Sequence, residues 1–253
     1  MSRTSALPPA LPASPLSPRR LVATARSRAF DGYLAVWTGL FGLAIPVFWL
    51  LGSPKPAIRA ATRVWVRGAF VGLRAIVGLR HVERGRENIP DGPCLVVANH
   101  QSTWETFAAL VLFPGVAIIA KQELLQIPVF GWYLRRSGMI VIDRASGGKA
   151  LREMIDQSRD TLAEGRPVLI FPEGTRRAPA EPVAFKRGTE LLYTALAVPA
   201  VTMAVNSGLY WRSGAPKRAG AITVTYAEPI PPGLPAAEFA QRAVSLLEAN
   251  KQG

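Results

Sequence analysis

Residues 94–105 read CLVVANHQSTWE, a short apolar run that breaks into a polar loop. The first part, Cys94–Ala98, is apolar throughout and is bounded by turn-forming residues, which predicts a buried strand. The polar residues from Asn99 onward would form a loop that leads into a helix near Glu105. A strand that gives way to a helix through a short loop is the basic unit of α/β proteins.

The rest of residues 80–253 continues this alternation. Three segments have helical spacing of apolar residues: Lys149–Glu164, Gly188–Leu196 and Pro235–Ala249. Five further apolar runs predict strands: Val116–Ala120, Met139–Ile142, Val168–Phe171, Val201–Val205 and Ala221–Tyr226. We therefore predict an α/β domain over 80–253, with a mostly parallel or mixed sheet flanked by helices. Ligands of such sheets bind beyond the carboxyl ends of the strands, so candidate site residues are sought there.

Charge is distributed unevenly along the 253 residues. Residues 1–90 hold 13 basic and 3 acidic residues, whereas residues 91–253 hold 17 basic and 14 acidic ones. Such an excess at one end favours an anionic partner: nucleic acid, anionic lipid or an anionic substrate. Cys94 is the only cysteine, which excludes an internal disulfide, and His81 and His100 are the only histidines.

The cationic part of the chain surrounds an apolar segment. Tyr33–Gly52 runs 20 residues without a charge, which as a helix would just cross the ~30 Å hydrocarbon layer of a bilayer. Pro46 would kink this helix and basic residues flank both ends, which favours entry into one leaflet and return. Ile58–Leu79 has the basic amphipathic pattern of an interfacial helix, with a buried core helix as the alternative. We expect a disordered tail at 1–18 and a membrane-associated helical segment at 19–79.

The loop after the first predicted strand carries a candidate acid–base pair. His100 lies at the strand exit, and Glu105 follows five residues later. If His100 lies in the turn and Glu105 in the first helical turn, the carboxylate could hold one ring nitrogen and stabilise the imidazolium. Two plainer interpretations stay open. His100 could be an ordinary loop histidine, and Ser102-x-x-Glu105 is also a capping box.

Cationic residues follow other predicted strands. The loop 171–177 reads FPEGTRR, in which a glycine beside an arginine pair would let backbone and guanidinium approach one anion. Lys121 and Arg144 also lie at strand exits, where they could add positive charge to the same site. A further segment, 198–208, is mostly apolar and predicts part of the core or of a tunnel wall.

These four segments, in this order and spacing, resemble the glycerolipid acyltransferases, specifically the bacterial 1-acylglycerol-3-phosphate acyltransferases, over about residues 80–230. His100 and Glu105 are similar to the catalytic His-x4-Asp motif of that family, and Phe171–Arg176 to its phosphate-recognition motif. The resemblance implies catalytic roles for His100 and Glu105. It implies substrate binding by Lys121, Arg144, Glu173, Gly174, Thr175 and Arg176. Glu105 stands where the family usually has Asp, and Thr202 stands where it usually has a proline.

The resemblance implies an activity and a location. The expected reaction transfers a fatty acyl group from acyl-CoA or acyl carrier protein to the sn-2 hydroxyl of 1-acylglycerol-3-phosphate, giving phosphatidic acid, without a metal or cofactor. The expected location is the inner membrane, where the enzyme would contact anionic lipid with its catalytic domain in the cytoplasm. Nucleic acid is not an expected partner.

Three alternatives stay open at this point. The acceptor could be glycerol-3-phosphate or another lyso-lipid, including lyso-ornithine lipid. A serine hydrolase is disfavoured, because the sequence has no G-x-S-x-G elbow. A basic membrane-tethering protein without catalysis would explain the cationic N-terminal part but not the loops of His100 and Arg176.

Overall fold

The computed structural model describes residues 18–252, so nearly all of the tail predicted at 1–18 lies outside the described residues. The chain begins with helices α1 (Pro18–Leu43) and α2 (Ile45–Leu50), which are followed by α3 (Lys55–Gly72) and a π-helical turn at Leu73–Val77. Residues 18–77 are called the helical hairpin below. By length and composition, its stretch Pro18–Leu50 is apolar enough to cross a membrane.

The two arms of the helical hairpin pack closely against each other. The Tyr33 hydroxyl donates to the carbonyl of Gly68 at 2.9 Å, and the Trp37 indole donates to the carbonyl of Trp65 at 2.9 Å. A Cβ atom at Gly68 would overlap the Trp37 ring, so glycine is needed for this close approach. The later residue of α1, Trp37, pairs with the earlier residue of α3, Trp65, so the two arms run antiparallel.

A seven-stranded sheet forms the centre of the domain. The strands are β1 (Leu79–Arg84), β2 (Leu95–Ala98), β3 (Ala117–Lys121), β4 (Ile140–Ile142), β5 (Val168–Ile170), β6 (Ala200–Val205) and β7 (Gly220–Tyr226). Their order is β1-β7-β6-β2-β5-β3-β4, and every neighbouring pair is parallel except β6 and β7. The predicted mixed α/β sheet is confirmed.

The sequence patterns do not predict strand β1. In its sequence, LRHVER, the exposed residues Arg80, Val82 and Arg84 alternate with less exposed ones, and only Leu79 is buried. A strand at the edge of a sheet can expose one face to solvent, which allows this alternation. The criterion of a continuous apolar run therefore detects the central strands and misses this edge strand.

Helices cover both faces of the sheet. They are α4 (Trp104–Leu112), α5 (Phe130–Arg136), α6 (Gly148–Ala163), α7 (Arg187–Leu196) and α8 (Ala236–Asn250). Phe30 and Leu73 of the hairpin join Trp104 in the core on one face, whereas Leu192 and Phe239 belong to the core on the other. Since β2, β3, β4, β5 and β6 are parallel, their carboxyl ends meet at one edge, called the carboxyl edge below.

Candidate active site

The loop after β2 brings His100 and Glu105 into contact. The Nδ1 atom of His100 lies 2.9 Å from Oε1 of Glu105. His100 precedes α4 and Glu105 lies in its first turn, because the helix begins at Trp104. An ionised carboxylate can only accept a hydrogen bond, so Nδ1 carries the proton and Nε2 keeps a free lone pair.

The carboxylate of Glu105 is fully buried and well satisfied, with 0% of the residue exposed. Oε1 also accepts from the backbone N–H groups of Gln101 and Ser102 at 2.6 Å each, and Oε2 accepts from the hydroxyls of Ser102 at 2.8 Å and Ser207 at 2.6 Å. Burial alone would raise the pKa of Glu105, but the hydrogen bonds from His100, Ser207 and Ser102 outweigh it and hold the pKa below its ordinary value. Glu105 is therefore an anion in a site without solvent contact.

The capping interpretation of Glu105 is compatible with the pairing to His100. The Ser102 N–H donates to Glu105, as in the backward contact of a capping box. The Ser102 hydroxyl, however, accepts from the N–H of Trp104 at 2.9 Å, and the N-cap residue Thr103 makes no side-chain capping bond, so only half of the box is present. One carboxylate thus fixes the start of α4 and holds the imidazole. The two interpretations describe two contacts of the same group.

The loop after β5 holds His100 from a second side. The backbone N–H of His100 donates to Oε2 of Glu173 at 2.7 Å, and its carbonyl accepts from the N–H of Arg177 at 2.7 Å. The imidazole stacks on the Phe171 ring with the centroids 4.1 Å apart. Backbone and ring of His100 are therefore both fixed by residues of the predicted phosphate-recognition loop.

Glu173 lies in a different position from the other predicted binding residues. It is only 3% exposed, and burial raises the pKa of its carboxyl group to about 7. Its carboxylate accepts from the backbone N–H of His100, and Glu173 does not line the cleft of His100. Through this contact Glu173 supports the backbone of His100, and its predicted part in substrate binding stays a prediction.

The other five predicted binding residues line one cleft together with His100. The cleft has a volume of about 800 Å³, and its wall includes Lys121, Arg144, Gly174, Thr175 and Arg176. Nη1 of Arg144 donates to the carbonyl of Gly174 at 2.5 Å. Gly174 has φ +67°, and a Cβ atom there would lie 3.0 Å from the Arg144 guanidinium. Glycine at this position therefore allows the cation to approach the loop.

An apolar cavity continues from this cleft between the helical hairpin and the sheet. Thr38 and Trp65 of the hairpin, together with Phe107 and Phe130 of the domain, line both spaces, whereas Met139 lines only the apolar cavity. The hairpin thus forms one wall of the site. The sequence indicates that residues 33–52 are apolar, but it does not indicate which side chains of the hairpin face the cleft.

Sequence reasoning also missed Ser207. The sequence predicts core or tunnel wall for 198–208, yet the Ser207 hydroxyl reaches Glu105 because β6 lies parallel beside β2. Asn99 fixes the two strand exits by exchanging two 2.8 Å hydrogen bonds with the backbone of Val205. A serine after a strand gives no signal of this kind until the strand order is known. Thr202 is buried in β6, and its hydroxyl has no hydrogen-bond partner within residues 18–252.

No group of three or more His, Cys, Asp or Glu side chains within the described part of the chain is arranged to hold a metal ion.

Comparisons with known proteins agree with this geometry. Residues 80–206 match the family model described as Acyltransferase. The chain is 40% identical to a 1-acyl-sn-glycerol-3-phosphate acyltransferase of Pseudomonas aeruginosa, in an alignment that covers 66% of this chain and 65% of the relative. It is 30% identical to a Chlamydomonas reinhardtii protein of the same description, over 88% of this chain and 69% of the relative. It is 32% identical to the human alpha form, over 65% of this chain and 57% of the relative.

These alignments span from 57% to 69% of the relatives' own length. A solved structure shares the fold: the crystal structure of the 1-acyl-sn-glycerophosphate (LPA) acyltransferase from Thermotoga maritima superposes with a TM-score of 0.70 at 24% identity, over 91% of this chain and 99% of that one. The family model covers half of the chain, and the relatives extend the similarity beyond it. The chain therefore belongs to the acyltransferase family, in which its relatives are 1-acyl-sn-glycerol-3-phosphate acyltransferases.

Proposed function

We propose that this protein transfers a fatty acyl group from acyl-CoA or acyl carrier protein to the sn-2 hydroxyl of 1-acylglycerol-3-phosphate (lysophosphatidic acid), giving phosphatidic acid. The observation that carries the proposal is the buried His100–Glu105 pair at the wall of a cleft that Lys121, Arg144 and Arg176 also line. The descriptions of the relatives support the same acceptor.

The three cations would hold the phosphate of the acceptor. Arginine binds phosphate through two parallel hydrogen bonds, and lysine adds a point charge. The phosphate is attached to the carbon next to the one that bears the reacting hydroxyl. Phosphate held by Arg176 and its neighbours therefore places that hydroxyl close to His100, which gives the positional advantage on which bimolecular catalysis depends.

The proton and the acyl group then move in two steps. Nε2 of His100 takes the proton of the hydroxyl while the oxygen attacks the carbonyl carbon of the thioester and forms the new C–O bond. The C–S bond breaks next, and the imidazolium returns its proton to the leaving thiolate. Glu105 stabilises the imidazolium between the steps, and a positioned base of this kind contributes typically ~10²–10⁴-fold in rate. No residue of the chain is acylated and no cofactor takes part in these steps.

The apolar cavity would receive an acyl chain. Its lining residues include Phe41, Leu110 and Leu134, and the transfer of a methylene group from water to such surroundings contributes about 0.8 kcal/mol. Glycerol-3-phosphate has no acyl chain of its own, so as an acceptor it would contact only the cations of the cleft. The acyl chain of the donor would need such a cavity with either acceptor, so the choice of a lyso-lipid rests on the descriptions of the relatives.

The helical hairpin would place this site at a membrane. Its tip exposes Leu43, Trp49, Leu50 and Leu51, while its inner face is buried against the domain through Phe30, Ile58 and Val66. Because one face of the hairpin belongs to the protein core, we propose that the tip enters one leaflet from the cytoplasmic side and does not cross. Lys55 and Arg67, which are exposed on α3, would contact anionic lipid of the inner membrane, with the half-buried Arg63 between them.

A panel of acceptors tests the proposed function. The purified full chain is assayed with lysophosphatidic acid, glycerol-3-phosphate, lyso-ornithine lipid and monoacylglycerol, each with acyl-CoA and with acyl carrier protein as donor. We expect lysophosphatidic acid to have the highest kcat/KM. Monoacylglycerol, which lacks only the phosphate, should react at least ~10²-fold more slowly because charge-assisted bonds to phosphate are lost. A higher kcat/KM for another acceptor would show that lysophosphatidic acid is not the preferred substrate. If no acceptor is acylated, the result would favour a membrane-tethering protein without catalysis.

A further inference from the structure

A second, polar cleft adjoins the catalytic cleft. It has a volume of about 430 Å³ and lies between helix α1 and the loop 211–217. Thr103, Arg176 and Ser213 line both clefts, so the two spaces meet at these residues. Thr24, Ser27, Arg28 and Asp31 contribute from α1, and their spacing places them on one face of that helix.

The polar cleft is a built structure with an excess of positive charge. Arg28, Arg176, Arg212 and Lys217 line it against a single carboxylate, that of Asp31. The side chain of Lys217 is 8% exposed, and its Nζ atom donates to Oδ1 of Asp31 at 2.5 Å. This pair of a buried lysine and a half-exposed aspartate is neutral as a whole and links α1 to the loop.

Two of the arginines are available to a ligand. Arg28 and Arg212 are exposed, and neither makes a side-chain hydrogen bond or ion pair with another residue between positions 18 and 252. The hydroxyls of Thr103 and Ser213 add further hydrogen-bonding groups to the wall, whereas the buried Ser27 hydroxyl accepts from the backbone N–H and Nζ of Lys217. The cleft therefore suits a polar chain that ends in an anion.

The proposed reaction brings two phosphate-bearing substrates to His100. In lysophosphatidic acid the phosphate lies a few bonds from the reacting hydroxyl, so it must bind in the cleft of His100, where Lys121 and Arg144 lie. In the donor a long polar pantetheine arm separates the thioester from the nearest phosphate. The second cleft lies beyond the wall shared by the two spaces, which is where the far end of such an arm would reach.

We infer that the polar cleft binds the pantetheine arm of the acyl donor and that Arg28 and Arg212 bind the phosphate at its end. The inference rests on one part of the proposed function, namely that the donor is an acyl thioester. Coenzyme A and acyl carrier protein both carry this phosphate, so the site serves either donor.

Kinetics with paired variants test the inference. The double variant Arg28→Gln/Arg212→Gln should raise KM for acyl-CoA about tenfold, since two charge-assisted contacts at an exposed site are lost, while KM for lysophosphatidic acid stays within about twofold. Arg218→Gln is the matched control, because Arg218 is exposed on the chain just beyond the same loop and does not line the cleft. Its KM values should equal those of the wild type.

The choice of donor identifies the phosphate. Acyl-carrier protein should show a similar rise in KM with the double variant, whereas acyl-pantetheine, which lacks the phosphate, should react equally well with wild type and variant. A rise confined to acyl-CoA would overturn the assignment to the arm phosphate. A rise in KM for lysophosphatidic acid instead of the donor would overturn the inference, because the cleft would then bind the acceptor.

Calorimetric titration of the full chain with coenzyme A separates this inference from the proposed function. If the wild type acylates no lysophosphatidic acid but binds coenzyme A about tenfold more tightly than the double variant, the acceptor is wrong and the cleft is supported. If the wild type transfers acyl groups to lysophosphatidic acid and the double variant has unchanged coenzyme A affinity and donor KM, the function stands and the cleft assignment is overturned.

Discussion

At the carboxyl edge of the sheet a carboxylate is buried, whereas at the tip of the helical hairpin large apolar side chains are exposed. Glu105 is 0% exposed, while Leu43, Trp49 and Leu50 are 75%, 66% and 76% exposed. Charged side chains are rarely buried without a partner, and clustered exposed apolar side chains mark interaction surfaces. The carboxyl edge thus buries a charged side chain, and the tip exposes apolar side chains. Each unusual placement supports one of the proposed functions, acid–base catalysis at the edge and membrane contact at the tip.

The two regions also differ in how many contacts fix each side chain. Glu105 accepts five hydrogen bonds from four residues. The tip residues instead contribute apolar area, and area contributions add up over several side chains. Single substitutions should therefore have large effects at the edge, and combined substitutions should be needed at the tip.

Replacement of the base should have the largest effect. His100→Ala should lower kcat at least ~10²-fold while substrate binding survives, because the imidazole that would take the proton of the hydroxyl is removed. The matched control is His81→Ala. His81 lies in β1 against the rings of Phe70 and Trp104, at centroid distances of 5.7 and 5.5 Å, and does not line the cleft of His100. Equal losses in the two variants, measured as transfer to lysophosphatidic acid, would remove the assignment of His100.

The tip should respond to a double substitution. Trp49→Ser/Leu50→Ser should lower partitioning into vesicles of anionic phospholipid by ~10²-fold, since burial of each large apolar side chain contributes ~1.5–3 kcal/mol. The control is Val82→Ser, which removes an exposed apolar side chain from β1 in the domain. Sedimentation with vesicles provides the measurement, and unchanged binding of the double variant would show that the tip is not the anchor.

A smaller loss of kcat is expected when a hydroxyl that supports Glu105 is removed. Ser207→Ala removes one of the two hydroxyls that donate to Oε2 of Glu105. We expect kcat to fall by about tenfold with KM unchanged, because the loss of one hydrogen bond to a charged group corresponds to ~1.5 kcal/mol. Ser158→Ala removes a buried serine that donates to the Met154 carbonyl in α6, away from the site, and serves as control. An equal fall in both kcat values would indicate a general loss of stability.

The ease of prediction differs between the same two regions. His100, Glu105 and the cationic loops were identified from the sequence because each follows an apolar run, so local patterns place them at strand exits. Ser207 could not be found, because its contact with Glu105 depends on β6 lying beside β2. The sequence does not show which side chains of a loop turn inward, so it could not predict that Glu173 is buried against the backbone of His100. The exposure of Leu43 and Trp49 could not be separated from burial, since apolar runs in membranes and in cores have similar composition.

The smallest effect concerns the pH dependence of stability. The pKa of Glu173 is raised from an ordinary 4.5 to about 7 by burial, so between these values the folded state holds more protons than the unfolded state. Its contribution therefore lowers the free energy of unfolding as pH rises from 4.5 to 7, and it becomes constant above 7. Glu173→Gln keeps an oxygen for the His100 N–H but does not titrate. Relative to wild type, its Tm should rise by a few degrees across this range.

The control for this pH effect is the exposed residue Glu87, replaced as Glu87→Gln. Thermal unfolding at several pH values provides the measurement. If the Tm difference between Glu173→Gln and wild type is constant with pH, the carboxylate of Glu173 does not titrate in this window.

The most direct test of the central claim is the turnover of Glu105→Gln with lysophosphatidic acid and acyl-CoA. The amide oxygen can still accept from His100, Gln101 and Ser102, and the hydroxyls of Ser102 and Ser207 can rotate to accept from the amide nitrogen. The substitution therefore removes the charge and keeps the contacts. We predict a kcat at least ~10²-fold below wild type with little change in Tm. Turnover close to wild type in a folded Glu105→Gln protein would contradict the account, because His100 would then act without a charged partner.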